Sequence, residues 1–600
     1  MAQVVIRANL SSVQIPLLTE EFGRSVIVRQ QDLNYVPTTA SKADMDKDIG
    51  IPQIYYAHNV MPTYYGYRSV AYSNQIPAVP GVSSFQQVFS FLSAAGSKVF
   101  LAVNTDGSLY VCHLASGYTW TPISNFSYAL ITEGSNTGSG YVVSSQVHTG
   151  AGTDIYLVTF TSATAYNVKK NGVLEVPGLG TTATEYVSQN GLVKFTINSG
   201  STAFIAGDTF TLTLYAASFL NAVTTASLSG ETYLCSEGSG IFSFDFTANT
   251  LVWRLAAGLD ATGLLGITSS NGYMIAYSTD TVAWSSTIDQ LDFVPSLSTG
   301  AGSGSVEDAK GPIRRCVGLT SGFLIFTAAN CVAALFNQNI RFPFTFREVP
   351  NAGGISDLSL VTDEADSTAV YAFTTHGLQQ ISTQKGNNVM PELSDFLTGK
   401  RFEDMDSSSL LLSQQNLTAP LKKHIEFISG RFLVISYGIN SFTHSLVYDS
   451  AIQRFGKLKL AHTSAIQYGF LDADDADTPK KQIALVQADG TIKTVEFAAG
   501  VTSPDSILIM GKYQYIRSRH IQLDSVELES VDPTDSLSLY ALPSLDGKTL
   551  EAPVSGYLVP STGLTRQYNF RLSAESHSIL IQGTFRLDSL QITFNVHGKR

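Results

Sequence analysis

Along most of the chain, short runs of alternating apolar and polar positions are separated by tight turns. Asn104-Thr-Asp-Gly-Ser-Leu-Tyr-Val111 shows the pattern most plainly, with an Asp106-Gly107 turn between two short strands. Variants follow at Ser239-Gly240, Ser278-Thr-Asp280, Ala329-Asn330, Thr375-His376-Gly377 and Ala488-Asp489-Gly490, each after an apolar run. Gly, Asn and Asp supply the positive φ that type I′ and related turns need, so these segments read as β-hairpins.

The turns act as a ruler. Those at Gly240, Asp280, Asn330 and Gly377 recur at intervals of 40, 50 and 47 residues. That spacing matches one four-stranded propeller blade of roughly 40–50 residues. Gly377 to the turn at Ser450 is 73 residues and Ser450 to Gly490 is 40. The long interval holds Pro391-Glu-Leu-Ser-Asp-Phe-Leu-Thr-Gly399, expected as a short helix with Pro in its first turn and Gly at its end. Gly107 to Gly240 is 133 residues, too long by about two blades. Two further blades or a separate domain could fill it. Its middle, Thr153–Phe160 through Gly207–Tyr215, is Thr-rich and strictly alternating. One wet face suits a two-sheet domain, so a β-sandwich inserted into a blade is expected over 125–222.

After Phe497 the alternating strands continue through Leu587–Phe594 with polar turns between them, a length suited to a C-terminal β-sandwich over 501–600. Nothing in the intervening composition suggests a free tether, so sandwich and propeller are expected to pack together. Residues 1–53 have little periodicity and mixed charge, and read as an extended N-terminal arm lying on another surface. From Ile54 to Tyr72 the pattern predicts an aromatic strand, a break at Pro62, a turn at Gly66 and a second strand. The expected architecture is all-β: a β-propeller over 54–124 and 223–500, the inserted β-sandwich, the C-terminal β-sandwich and the arm.

Composition supports this and narrows function. Only 14% of the residues are charged, against a usual quarter, while 48 Gly, 33 Phe and 27 Tyr fit short strands and tight turns. The formal charge of −12, with no long Lys/Arg run, lacks the basic footprint that tight nucleic-acid binding needs. Weak contact with DNA sliding past remains compatible with it. Cys112, Cys235, Cys316 and Cys331 form no CxxC pair and lie in apolar strands, so they are expected as reduced core thiols, with a Cys316–Cys331 bridge the alternative. Met1–Arg7 lacks a signal-peptide pattern and no apolar run approaches bilayer length, so a soluble chain without membrane insertion is expected.

Candidate chemistry is thin. Ser278-Thr-Asp280-Thr-Val282-Ala-Trp284 resembles the Asp box of sialidase propellers, but Val282 replaces its Gly and Trp284 comes one place early; the box is structural in any case. Asp472-Ala-Asp474-Asp475-Ala-Asp477 departs from a calcium loop at its fifth, sixth and twelfth positions and reads as a solvated acidic loop. The ten histidines show no metal or catalytic spacing, and no phosphate-binding glycine motif follows a strand. No enzyme, no metal and no cofactor is expected.

Several segments taken together resemble the tail nozzle proteins of short-tailed bacteriophages, also called packaged-DNA stabilisation or tail tubular proteins. They are Arg7-Ala-Asn9, Ile15-Pro16, Asp46–Gln53, Tyr56-Ala-His-Asn59-Val-Met-Pro62-Thr63 with Gly66-Tyr67, Leu291–Pro295, Glu392-Leu-Ser-Asp395-Phe396-Leu-Thr-Gly399 through Glu403, and Arg571 with His577–Gly583. The positions carrying the likeness are Tyr56, Asn59, Pro62, Gly66, Asp395, Phe396, Gly399, His577 and Gly583, all structural in kind. The resemblance implies a homo-hexamer in the virion tail, assembled in the host cytoplasm. Its ring extends the channel of the portal and tail adaptor, meets tail fibre, spike or needle proteins, retains packaged DNA and opens for genome ejection. It also implies that the arm orders on a neighbouring subunit or the adaptor. Two other classes stay open: a carbohydrate-binding receptor protein, with Tyr64, Tyr65, Trp120 or Trp253 stacking on sugar, and a propeller glycosidase.

Overall fold

Lys98–Asn104, Gly322–Thr327 and Phe432–Gly438 are buried at every position. Only strands covered on both faces behave this way, and each is the second strand of a four-stranded antiparallel meander packed between two others. The computed structural model describes residues 24–28 and 54–596 apart from interruptions, the longest at 148–153, 390–400, 469–482, 498–505 and 530–535. No helix is present among the described residues.

Seven such sheets form a β-propeller. Blades one to six span 85–122, 223–254, 266–305, 313–353, 361–388 and 422–462 in sequence order. Blade seven is composite: Ser464–Gln467, Ile483–Val486 and Ile492–Phe497 supply three strands, and Tyr67–Ile76 from near the chain start supplies the outermost. From blade two onward the first strands of consecutive blades neighbour one another, that of blade seven returns to blade one, and Gln87 Nε2–H of blade one donates to Val223 O of blade two at 3.2 Å. Every gap between blades holds an apolar wedge: Leu101 with Leu234 between one and two, Cys235 with Met274 between two and three, Ile275 with Phe323 between three and four. Leu324 with Val370, Phe373 with Ile425, Val447 with Leu485, and Ile466 with Phe100 complete the ring.

The turns of the ruler have a second task. Each turn between second and third strands emerges at the end of the propeller where one blade connects to the next, and backbone hydrogen bonds tie the two together. Gly238 N–H donates to Leu264 O at 2.9 Å, Ile313 N–H to Thr279 O at 2.7 Å, Ile355 N–H to Thr327 O at 2.9 Å and Phe85 N–H to Ala488 O at 2.9 Å. A hairpin that closes one blade thereby also fixes the entry to the following one.

All four cysteines are free and buried. Cys316 and Cys331 belong to the wedges on opposite faces of blade four, which is why they do not bridge. Burial pushes the Cys112 thiol up to about 12 and raises the other three as well.

Two five-stranded sheets make the C-terminal sandwich, with strands drawn from Ile507–Gln514 to Ser589–Val596. Both accept strands from the chain start: Arg24–Val28 pairs with Ser589–Val596, and Ile54–His58 with Ile507–Gln514. The sandwich shares one continuous core with blades five and six. The inserted sandwich, a five-stranded sheet on a three-stranded one, has its own core of Tyr156, Phe160, Phe195 and Phe210 among others.

Several expectations are corrected here. The insertion lies between blades one and two, not inside a blade, although Phe126–Ser127 adds a parallel strand to blade two. Ile54–His58 belongs to the C-terminal sandwich, not the propeller. The break falls at Asn59, whose φ is 52°, while Pro62 is paired in a strand with Tyr67. Arg24–Val28 of the arm pairs within its own chain. The helix expected at 391–399 and the acidic loop at 472–477 lie outside the described residues.

Candidate functional site

Tyr56, Asn59, Pro62 and Gly66 are far from Gly583 in sequence, yet the fold brings them together at the seam between the C-terminal sandwich and blades six and seven; His577 lies at the other end of the Ser576–Gly583 strand, inside the sandwich. Asn59 is its pivot. Its left-handed backbone turns the chain out of the sandwich strand and into Val60–Pro62, which pairs with the outer strands of both blades and joins them into one ten-stranded sheet. Asn tolerates this conformation because its short polar side chain can bond locally. Here Asn59 Oδ1 accepts Tyr72 O–H at 2.7 Å and Lys459 N–H at 2.8 Å, one from each blade. The Asn59 carbonyl accepts Val70 N–H at 2.9 Å and Ser506 Oγ–H at 2.8 Å, the latter from the sandwich.

The remaining motif residues extend this contact. Gly583, at φ 115°, donates its N–H to Ser506 O at 2.9 Å, and a Cβ there would lie 2.3 Å from Ser536 O. Ser69 N–H donates to Phe585 O at 2.9 Å, and Ser69 Oγ accepts Phe585 N–H at 3.0 Å. Pro62 precedes a tight turn in which Thr63 N–H donates to Gly66 O at 2.8 Å. Tyr56 is buried against Ile507, Ile509 and Leu580, with Lys457 Nζ 4.8 Å from its ring centroid. His577 donates Nε2–H to Ile521 O at 3.0 Å inside the sandwich, and burial lowers its pKa. Asp395, Phe396 and Gly399 lie outside the described residues.

Burial raises the Tyr72 phenol far above its ordinary range, as expected for a hydroxyl whose task is to hold Asn59. The arrangement is a clasp. Replacing Asn59 by Ala is expected to destabilise the chain by about 3 kcal/mol, since two buried donors lose their acceptor and a non-glycine residue without a polar side chain keeps φ positive. Urea denaturation of Asn59→Ala beside Asn59→Asp, which retains the acceptor, checks this. Sequence reasoning found Asn59, Gly66 and Gly583 and missed Ser69, Tyr72 and Ser506; no local pattern marks those three.

The other candidates fall into the scaffold. Ser278 Oγ bonds Asp280 and Thr281 within a blade-three turn, and Trp284 Nε1–H donates to Gly300 O at 2.9 Å. Trp120 donates to Gly490 O at 2.9 Å and packs edge-on to Phe85, while Trp253 packs in the wedge between blades one and two. Both tryptophans are partly buried in these contacts. Tyr64 and Tyr65 lie outside the described residues. Among the described residues no group of three or more His, Cys, Asp or Glu is placed to hold a metal, and no helix is long and apolar enough to cross a membrane.

No protein-family model and no curated protein matches the sequence. Solved structures with a similar course include the WD40 β-propeller domain of Doa1, at 7% identity and TM-score 0.32 over 71% of this chain and 97% of that one. Sqt1 from Chaetomium thermophilum follows at 11% identity and 0.34 over 72% and 100%, and YCF48 bound to D1 peptide at 8% and 0.34 over 73% and 98%. At such scores the likeness carries no functional argument; the chain's own seven sheets define it as a propeller protein.

Proposed function

We propose that this chain is a structural subunit of a short-tailed phage nozzle: six copies surround an axial channel below the adaptor, retain packaged DNA and open for ejection. One observation carries the reading. Tyr56, Asn59, Pro62, Gly66 and Gly583, five of the described residues behind the sequence resemblance, come together in one buried clasp between propeller and C-terminal sandwich, while His577 lies deeper in the sandwich and Leu291–Pro295 in blade three. Such a clasp makes a rigid wall element from two domains, which is what a tube under internal pressure needs from its subunits. A net charge of −12 supports a channel that holds DNA without adhering to it.

Native mass spectrometry with negative-stain imaging of the full chain tests the reading. The expected result is a hexamer with an axial channel that binds the portal-side adaptor ring. A monomer that gives a clear hit on a glycan array would overturn it in favour of a receptor protein.

A further inference from the structure

Two apolar patches stand out on the surface, one on the propeller and one on the inserted sandwich. The first is the segment linking the third and fourth strands of blade three, Ser286 to Ala301. It has no regular secondary structure, yet it is braced throughout: Ser286 N–H donates to Asp292 O at 2.7 Å, Ser296 N–H to Ala301 O at 2.9 Å and Phe293 N–H to Ala257 O at 2.8 Å. Phe293 is buried as an anchor, while Ile288 (82% exposed) and Leu297 (65%) point to solvent. A loop held this firmly with its aliphatic side chains outward is built for contact. Phe342, in the equivalent loop of blade four, is exposed at the same end.

The second patch is Val173–Thr181, the edge strand of the five-stranded sheet in the inserted sandwich. That domain leaves the propeller where blade one connects to blade two. Val176 (69% exposed) and Leu179 (76%) project from it beside Val173 and Leu174. Its pairing skips from Lys169/Leu174 to Asn167/Leu179, so Glu175–Gly178 bulges from the ladder. The buried Glu175 carboxylate, which accepts Tyr186 O–H at 2.7 Å, pins the bulge in place. A bulge blocks strand addition, so a partner must meet side chains rather than extend the sheet.

We infer that these patches meet each other between copies of the chain, the blade-three loop of one copy seating on the bulged edge strand of the next. Charge favours this occupant: Asp289 and Asp292 flank the loop's aliphatic residues, and the exposed Lys169 lies beside Leu174. Two different patches make a head-to-tail contact, which closes into a ring or runs on as a filament. The inference rests on the ring assembly proposed above.

The four native thiols are buried, so introduced cysteines would be the accessible ones. Full-length chain carrying Leu297→Cys is mixed with chain carrying Val176→Cys and oxidised. A covalent dimer containing one of each is expected, with none from either variant alone. Separately, Leu297→Asp is expected to weaken assembly at least tenfold by sedimentation velocity while leaving the monomer's thermal midpoint unchanged. A wild-type chain that stays monomeric at micromolar concentration overturns both the ring and this contact. A wild-type ring that is insensitive to Leu297→Asp, or that cross-links like with like, overturns this contact alone.

Discussion

A chain carrying Asp449→Ala is expected to lose about 3–5 kcal/mol of stability, because it strands a guanidinium inside blade six. Arg431 sits in the turn between the first two strands and meets Asp449 with both forks: Nε–H donates to Oδ1 at 2.9 Å and Nη2–H to Oδ2 at 2.7 Å. The side chains retain 16% and 2% of their exposure, so water replaces little of what is lost. Asp449 Oδ1 also accepts Ala451 N–H at 3.0 Å, which secures the next turn. A single buried pair adds little net stability over an apolar one, whereas removing one member leaves an uncompensated charge. The double variant Arg431→Met with Asp449→Ala is therefore expected to recover much of the loss. Urea midpoints of the three chains decide it; a single variant within 1 kcal/mol of wild type would refute the account.

Acid is expected to weaken the same blade. His462 is almost fully buried and donates Nδ1–H to Leu460 O at 2.7 Å, while its Nε2 accepts from the hydroxyl pair of Ser436, at 2.8 Å, and Ser445, at 3.1 Å, which also bond each other. Burial holds its pKa at about 4, with His424 and His444 pushing the same way and the Leu460 carbonyl opposing. The folded chain thus refuses a proton that the unfolded chain accepts below its ordinary value near 6.5. The stability is complete above pH 6.5 and is lost as pH falls toward 4, to a total of about 3 kcal/mol. His577, also lowered by burial, adds in the same direction. Thermal midpoints between pH 7.5 and 4.5 should fall more steeply for wild type than for His462→Gln, and parallel curves would exclude His462 as the source.

Much of the propeller was legible because its repeat is local. The turns at Gly107, Gly240, Asp280, Asn330, Gly377 and Gly490 each separate the second and third strands of a blade. Ser450 marks the later turn of blade six, which with the hairpin Arg401–Asp406 and Leu411–Asn416 stretches that interval. Seven turns therefore corresponded to seven blades. Pairings between distant segments left no such trace. Tyr67–Ile76 has the pattern of any half-buried strand, and nothing near it says that its partner is Ile492–Phe497. Ile54–His58 reads as the first arm of a hairpin because alternation reports which faces are covered, not by what. The left-handed Asn59 that separates the two domains was visible as a residue but not as a junction. Its meaning comes from Tyr72, Lys459 and Ser506, all supplied by other elements.

The composite blade has a consequence for how the molecule is made. Gln75 and Thr494, which bond across its outer pair, are 419 residues apart in the chain. A ribosome releases Tyr67–Ile76 well before its partner, and that strand must then wait, unpaired on its inner side, until Ile492–Phe497 has been synthesised. Blades one to six accumulate meanwhile as an open arc with an apolar flank at each end. The C-terminal sandwich imposes the same delay, since it needs Ile54–His58 from the start and the last ninety or so residues from the end. A prematurely terminated product would therefore never close, and would expose the flanks that chaperones and proteases recognise. Closure of the ring of blades thus depends on a pairing made across 419 residues of chain.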